Sequence, residues 1–555
     1  MSVLPLFSTE AALRTAAPAA SSTWRPVRLA LTTTQKWLLP LGVVLFDVLF
    51  WQQGMGLNLA LYTLLATLAL LASWPHAAWR SGYFQLTLAG VLLSCGAMGW
   101  YGSFTAALAC SGSLLMLWGY ANQPHLKLLI LALLTGFGAA VEVIVALPPA
   151  LARRLPSRET KAGRVLWYAR LLLVPVLVLG VFHMLFVVAN PHYSAVVDTV
   201  WQQLSLWLSR WLELLSFGHL LFWGLALAVT ATVLLRVPLP GLAQWEARFG
   251  EVVLRRRDWV ASFAVRHPDF SSRSFRLADL RKEYLAAVAV FGLVNLLLLA
   301  VNAIDISWLW FGFEPEPGFN LAQFVHEGTY VLIFSILLAM GIVLWFFRRN
   351  LNFYRPGLPA LRWGATVWVL QNAVLAVSVG LRNYYYISHM GLAYKRIGVC
   401  FFLLLTLFGL MTILLKIWQR RSAFSLVRLN SVAAYVVLLS LALGNWESWI
   451  ARYNLTTGFA QIDYGFLLDM PGRVLPELVR HRATLNRTPH IVRANGNFYT
   501  LYEEVKPAEA QLLLDARVAE WRRTYEAEAS WQDWTYADWA AYQQLTTGSN
   551  AAVAH

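Results

Sequence analysis

Charge is the scarcest property of this chain. Only 13% of its 555 residues are Asp, Glu, Lys or Arg and 58% are hydrophobic, against roughly 25% charged in soluble domains. So little charge cannot cover a water-facing surface, which excludes an ordinary soluble globular protein. Acidic residues are rarer still, 29 against 44 basic, for a net charge of +15. The excess does not indicate nucleic acid, because the arginines lie in a few segments between apolar runs and no basic domain stands apart.

Cysteine is nearly absent. Cys95, Cys110 and Cys400 all lie inside apolar runs, which excludes a disulfide framework or a metal site and leaves them as small packing residues. There is no H-E-x-x-H motif and no nucleotide-binding glycine loop, so no metal or cofactor is expected. No internal repeat stands out, which removes one pointer to the repeat-built transporters. No small-residue cleavage site follows the first apolar run, so that run reads as a retained anchor.

What the chain does have is apolar runs near twenty residues long, 26 tryptophans and a mean hydropathy of +0.54. A helix rises about 1.5 Å per residue, so about 20 residues cross a bilayer core of roughly 30 Å. Candidate spans are 37–51, 57–74, 83–100, 104–120, 126–148, 166–189, 216–236, 284–303, 328–347, 361–381, 398–417 and 431–447. The expectation is an all-α fold, a polytopic transmembrane helical bundle of about 12 spans (11–13), with a small helical C-terminal extramembrane domain.

The division follows from these runs. Residues 1–36 form a basic N-terminal tail and 37–189 the N-terminal spans. Residues 190–236 hold an amphipathic interfacial helix at 196–215 and one further span, and 237–283 a basic segment. Residues 284–447 hold the C-terminal spans, 448–545 the helical domain and 546–555 a disordered tail.

Lysine and arginine set the orientation. Segments 149–165, 237–283, 348–360 and 418–430 are rich in arginine and belong in the cytoplasm. The last three are separated by two spans each, so they share a side. Segment 304–327 then faces outward. It contains Asp305, Glu314, Glu316 and Glu327 with no basic residue, and Trp308 and Trp310 suit the headgroup boundary. The C-terminal domain falls on the same outer side. Five runs precede 149–165, so either the basic N-terminal tail lies outside or one of those five runs does not cross.

Polar residues inside spans are costly and therefore informative. Asp47 reads either as a proton- or cation-exchanging group or as an interhelical hydrogen-bonding group. Glu142 follows Gly136, Gly138 and Ala140 and lies near Arg153 and Arg154, which are its natural partners. His183 stands alone, without a second ligand at helical spacing. Asn295, Asn302, Gln371 and Asn372 either hydrogen-bond across helices or line a pathway.

The segments HEGTY (326–330), RRNLNFY (348–354), LRNYYYI (381–387), GLAYKRIGV (391–399) and IARYNL (450–455) resemble an uncharacterised family of bacterial multi-pass integral-membrane proteins, catalogued as a domain of unknown function. The resemblance covers 280–460 and extends more weakly to about 545. It implies location in the bacterial cytoplasmic (inner) membrane and carries no catalytic residue.

By the same parity, 382–397 is an outer loop whose positive charges run against the positive-inside trend. Arg382, Lys395 and Arg396 are expected to meet Glu327 and nearby carboxylates such as Asp305 at the outer mouth, with His326 as a group able to titrate near neutral pH. This cluster is either a structural latch or a site for an anionic group. Tyr384, Tyr385, Tyr386 and Tyr394 suit headgroup contact.

Three functions fit. The first is transport or binding of a lipid or small anionic solute. The second is a membrane sensor or scaffold that engages a protein partner through 237–283 or 448–545. The third is an enzyme acting on lipid or glycan precursors, the weakest reading because a single His-Glu dipeptide is a poor signal.

Overall fold

The computed structural model describes residues 32–73, 78–152, 217–235, 237, 239–253, 270–311, 313, 321–347, 350–459, 462–485, 490–493 and 502–553, with single positions between 175 and 201. Helices dominate, as they must where backbone groups have no water to bond: a helix satisfies its own N–H and C=O groups. Helix α1 (Thr33–Phe50) covers the first apolar run, with Pro40 inside it, and α2 (Leu57–Ser73) the second.

Seven helical stretches among the described residues are long and apolar enough to cross a membrane. They are α3 (Gly82–Tyr101), α4 (Phe104–Asn122), Leu129–Ala146 of α5 (Leu129–Ala152), Arg281–Trp310, α10 (Leu358–Met390), α11 (Tyr394–Gln419) and α12 (Ala423–Leu443). The stretch Arg281–Trp310 joins the end of α8 (Phe270–Asp305) to a wider π-helical turn, Ile306–Trp310. Shorter apolar stretches lie in α2, in α6 (Phe217–Leu234) and in α9 (Leu321–Phe346). The expected span 166–189 and the interfacial helix 196–215 lie largely outside the described residues.

Lipid-facing surface is evident on α8, where Leu293, Leu296, Leu297 and Leu299 are all exposed. Four leucines in seven residues would form an unfavourable patch in water and are unremarkable against acyl chains.

The residues fall into two units, 1–43 with 138–237, and 44–137 with 238–555. In the first, α1 meets α6. Gln35 Nε2 donates to the Leu234 carbonyl at 2.9 Å, and Gly42 faces Thr230 where a Cβ would come within 2.3 Å of Cγ2. Only glycine permits that approach.

In the second unit α3 and α4 pack together, and α12 lies against both; Tyr435 OH meets Ser113 Oγ at 2.7 Å beside Gly90. Helices α8 to α11 share one apolar core built on Phe291, Ile336, Trp368 and Ile413. Short α7 (Pro240–Glu246) delivers Glu246 to the start of α5, where its carboxylate accepts from Lys127 N at 2.9 Å and Leu128 N at 2.9 Å. An anion is favoured there because a helix start has unbonded N–H groups.

The last expected span shifts toward the N-terminus. Ser422 caps α12 by accepting from Ser425 N at 3.1 Å, and Leu443 ends it. Trp446 and Trp449 therefore belong to the next helix, α13 (Trp446–Thr456). The region beyond has its own core, centred on Tyr464, Leu467, Leu475, Leu478 and Leu514. It holds α14 (Tyr464–Leu468), α15 (Leu475–Arg480), α16 (Arg482–Leu485), α17 (Pro507–Glu528) and α18 (Tyr536–Val553).

The C-terminal region is not purely helical. Strands β1 (Ile462–Asp463), β2 (His490–Arg493) and β3 (Tyr502–Val505) form a three-stranded sheet, β1 parallel and β3 antiparallel to β2. The helix α18 also continues past Thr546, where the sequence suggests a disordered tail. This region docks on the ends of α2 and α3. Asn58 N donates to Gln532 O at 2.7 Å, and Arg473, buried beside Glu447, donates to the Tyr101 carbonyl.

Candidate functional site

Helices α8 and α10 run parallel, with α9 returning the chain between them, and a line of polar contacts joins them. Asn295 Nδ2 donates to the Gly364 carbonyl at 2.9 Å, and Gln371 Nε2 donates to Asn295 Oδ1 at 2.8 Å. Asn302 Nδ2 then donates to the Gln371 carbonyl at 3.0 Å. Further along, Trp310 Nε1 donates to Ser378 Oγ at 3.0 Å, and Tyr385 OH donates to the Leu309 carbonyl at 3.1 Å. On α10 the participants 364, 371, 378 and 385 recur every seventh residue, as do 295, 302 and 309 on the other strand of the seam. A seven-residue recurrence keeps one face of each helix on its neighbour.

Between these contacts the seam carries charge. Arg382 Nη2 donates to Asp305 Oδ1 at 2.7 Å, with the two side chains only 10% and 7% exposed. Neither sits in a loop: Arg382 lies within α10, which continues to Met390, and Asp305 closes α8 just before the π turn. Four further oxygens on these two helices are buried without a hydrogen-bond donor among the described residues: Asn302 Oδ1, Gln371 Oε1, Asn372 Oδ1 and Asp305 Oδ2.

The expected outer loop 382–397 thus shrinks to Gly391–Ala393. Arg396 turns back to the end of α10, donating to the Met390 carbonyl at 2.8 Å and to the Gly391 carbonyl, with its guanidinium 4.0 Å from the Tyr386 ring. A cation there satisfies terminal carbonyls and meets the negative end of the helix dipole. Lys395 is exposed and has no carboxylate within ion-pair distance among the described residues. His326 and Glu327 lie on α9, but their side chains are outside the described residues, so Asp305 is the carboxylate found on Arg382.

The remaining expected residues separate. Asn372 bonds back to the Trp368 carbonyl of its own helix at 2.8 Å and does not join the seam. Asp47 is half-buried on α1, and Glu142 is buried on α5. Tyr384 and Trp308 are exposed, whereas Tyr385 is drawn into the seam. Tyr394 packs edge-on against Phe466.

Sequence reasoning overlooked two residues that matter here. Ser378 is a neutral group in an apolar run and gave no signal. Asn454, inside IARYNL, grips the backbone of Leu392, accepting from its N–H at 2.6 Å and donating to its carbonyl at 2.9 Å. Two of the spaced motifs therefore meet at one turn. Gly391 makes this possible, with φ at 79° and a Cβ position only 2.6 Å from Asn454 Oδ1. Glycine alone suits both constraints.

A bundle of long apolar helices with a buried polar seam defines a polytopic helical membrane protein. The family described as a domain of unknown function, DUF4153, matches residues 83–481, and the chain belongs to it. That match starts well ahead of the quoted motifs and ends before α17. No curated protein and no solved structure matches the chain.

Proposed function

We infer that the protein moves or binds a small solute across the membrane, with the α8–α10 seam as its polar path. The observation that carries this reading is the set of oxygens on Asn302 and Gln371 that find no donor among the described residues, because buried acceptors left unbonded are costly and mark a place for a ligand. Depth supports it. From Arg362 to Arg382 is 382 − 362 = 20 residues of α10, about 30 Å and therefore a bilayer core. Gln371 lies 371 − 362 = 9 residues along, about 14 Å and close to the midplane, where transporter sites are found.

Acceptor oxygens suit a proton, a small monovalent cation or the N–H and O–H groups of a solute. An anionic group reaches Arg382 only by displacing Asp305, so the pair acts as the gate at one end. On the topology expected from the basic segments, that end is extracytoplasmic. The basic groups Arg362 and Arg420, which act on one another at the start of α10, support that orientation.

The test is flux in proteoliposomes under imposed proton, sodium or potassium gradients, read with a trapped pH- or ion-sensitive dye. Wild-type protein should dissipate at least one gradient faster than empty vesicles. Asn302→Leu and Gln371→Leu should slow it about tenfold or more, as loss of a cation ligand does. Wild-type vesicles no leakier than empty ones to all three ions would remove the cation path.

A further inference from the structure

The opposite end of α10 carries basic groups that the seam does not use. Arg362 stands in the first turns of α10, whose N-cap, Gly357, makes no side-chain cap bond. A helix start is already the positive end of the dipole, so a guanidinium there adds charge of the same sign. Its Nη2 reaches only the Trp418 carbonyl, at 3.4 Å, and its Nε is shielded from solvent with no acceptor among the described residues.

Arg420 follows two residues after Trp418. It adopts a left-handed backbone, φ 53°, and holds its guanidinium 5.2 Å from the Phe353 ring, close enough for its charge to act on Arg362. Among the described residues neither arginine has a carboxylate within ion-pair distance. Glu251, whose carbonyl accepts from Ser422 N, is engaged by Arg428 at 3.1 Å.

Aromatic and apolar surface adjoins these charges. Trp418 lies under Arg362 at 5.6 Å and meets Trp363 edge-on at 5.4 Å. Both indoles are exposed, at 44% and 60%. From Trp363 an exposed stripe continues through Val367 and Leu370, at the i, i+4, i+7 spacing of one helix face. Exposed indoles belong at headgroup depth, and the stripe runs from there toward the membrane interior.

We propose that Arg362 and Arg420 bind the phosphate of an anionic membrane lipid, with one acyl chain lying along Trp363, Val367 and Leu370. A phosphate oxygen supplies the acceptor that Arg362 Nε lacks and neutralises two like charges held together. The stripe selects a lipid over a soluble phosphate, which has nothing to cover it.

Native mass spectrometry of the full-length protein tests this, with phosphatidylglycerol, phosphatidylcholine of the same acyl chains, and inorganic phosphate as probes. Wild-type protein should retain phosphatidylglycerol about tenfold or more over phosphatidylcholine, since two arginines near an anionic headgroup both favour it. The Arg362→Gln/Arg420→Gln variant should lose that preference. An Arg362→Lys/Arg420→Lys variant, which keeps the charge and loses the planar fork, should keep part of it; this also supplies the comparison should the glutamine variant not fold. Equal retention of the two lipids by wild-type protein, or undiminished preference in a folded glutamine variant, overturns the proposal. Displacement of phosphatidylglycerol by stoichiometric inorganic phosphate would also overturn it, because the site would then belong to a soluble phosphate.

Discussion

Arg382 and Asp305 stand 77 residues apart in the chain and 2.7 Å apart in the structure, each almost entirely shielded from solvent. Two ions in such a place are stable together and costly apart. Removing Arg382 leaves the Asp305 carboxylate buried without this counterpart, which costs about 3–5 kcal/mol.

Asp305→Asn and Arg382→Gln should therefore each lower stability by about 3–5 kcal/mol. The double variant should lose much less than the sum, because no buried charge remains. Thermal unfolding in detergent measures this; additive losses would mean that the two side chains do not depend on each other.

The seam itself is worth less per contact. Asn295→Leu and Asn302→Leu should each cost about 0.6 kcal/mol, within the usual range for interhelical bonds in membrane proteins. A double-mutant cycle between Asn295 and Gln371 should return a coupling of that size. The cycle between Asn295 and Asn372 should return none, since among the described residues Asn372 bonds to its own helix and not to Asn295.

Gly391→Ala should destabilise the α10–α11 turn by about 1–3 kcal/mol, the usual cost of a side chain in backbone space reserved for glycine. Asn454→Ala should cost a similar amount, about 1–3 kcal/mol, by stranding the N–H and carbonyl of Leu392. Proteolysis at the turn, monitored by peptide mapping, should rise in both variants.

Glu246→Ala should free the N–H groups of Lys127 and Leu128 at the start of α5 and cost about 1–2 kcal/mol. Glu246→Asp, one methylene shorter, should recover only part of the loss. Hydrogen exchange at those two amides is the direct readout.

Tyr464 gives a pH dependence. Its ring is buried in the C-terminal core, its hydroxyl donates to the Ala510 carbonyl at 2.9 Å, and burial pushes its phenol above the ordinary tyrosine range. The raised value means that the folded state holds the proton more tightly than the unfolded chain, whose tyrosine releases it near about pH 10. The contribution is complete below that pH and is lost as pH rises toward the folded value. The stability gap between wild-type protein and Tyr464→Phe should narrow above pH 10, as followed by melting temperature.

The helical class and the sharing of one end by Asp305 and Arg382 were legible from apolar run lengths and loop charge. The identity of the pairing was not. Three tyrosines and an arginine at 382–386 read as loop, because polarity suggests exposure, whereas here α10 carries them on and buries Arg382. The four amides were legible singly, but only the seven-residue register of two parallel helices sorts Asn295, Asn302 and Gln371 into the seam and leaves Asn372 out. Strands of two to four residues are too short to show alternation, so the small sheet at 462–505 left no pattern.

The separation of Asp305 from Arg382 also imposes an order on biogenesis. A ribosome adding about 5–20 residues per second needs roughly 4–15 s to make the intervening chain. For that interval α8 has emerged with a carboxylate and no guanidinium to receive it. The helix therefore cannot reach its final seat when it is made. It has to wait near water until α10 follows, so the arrival of Arg382 fixes the earliest moment at which this half of the protein can close.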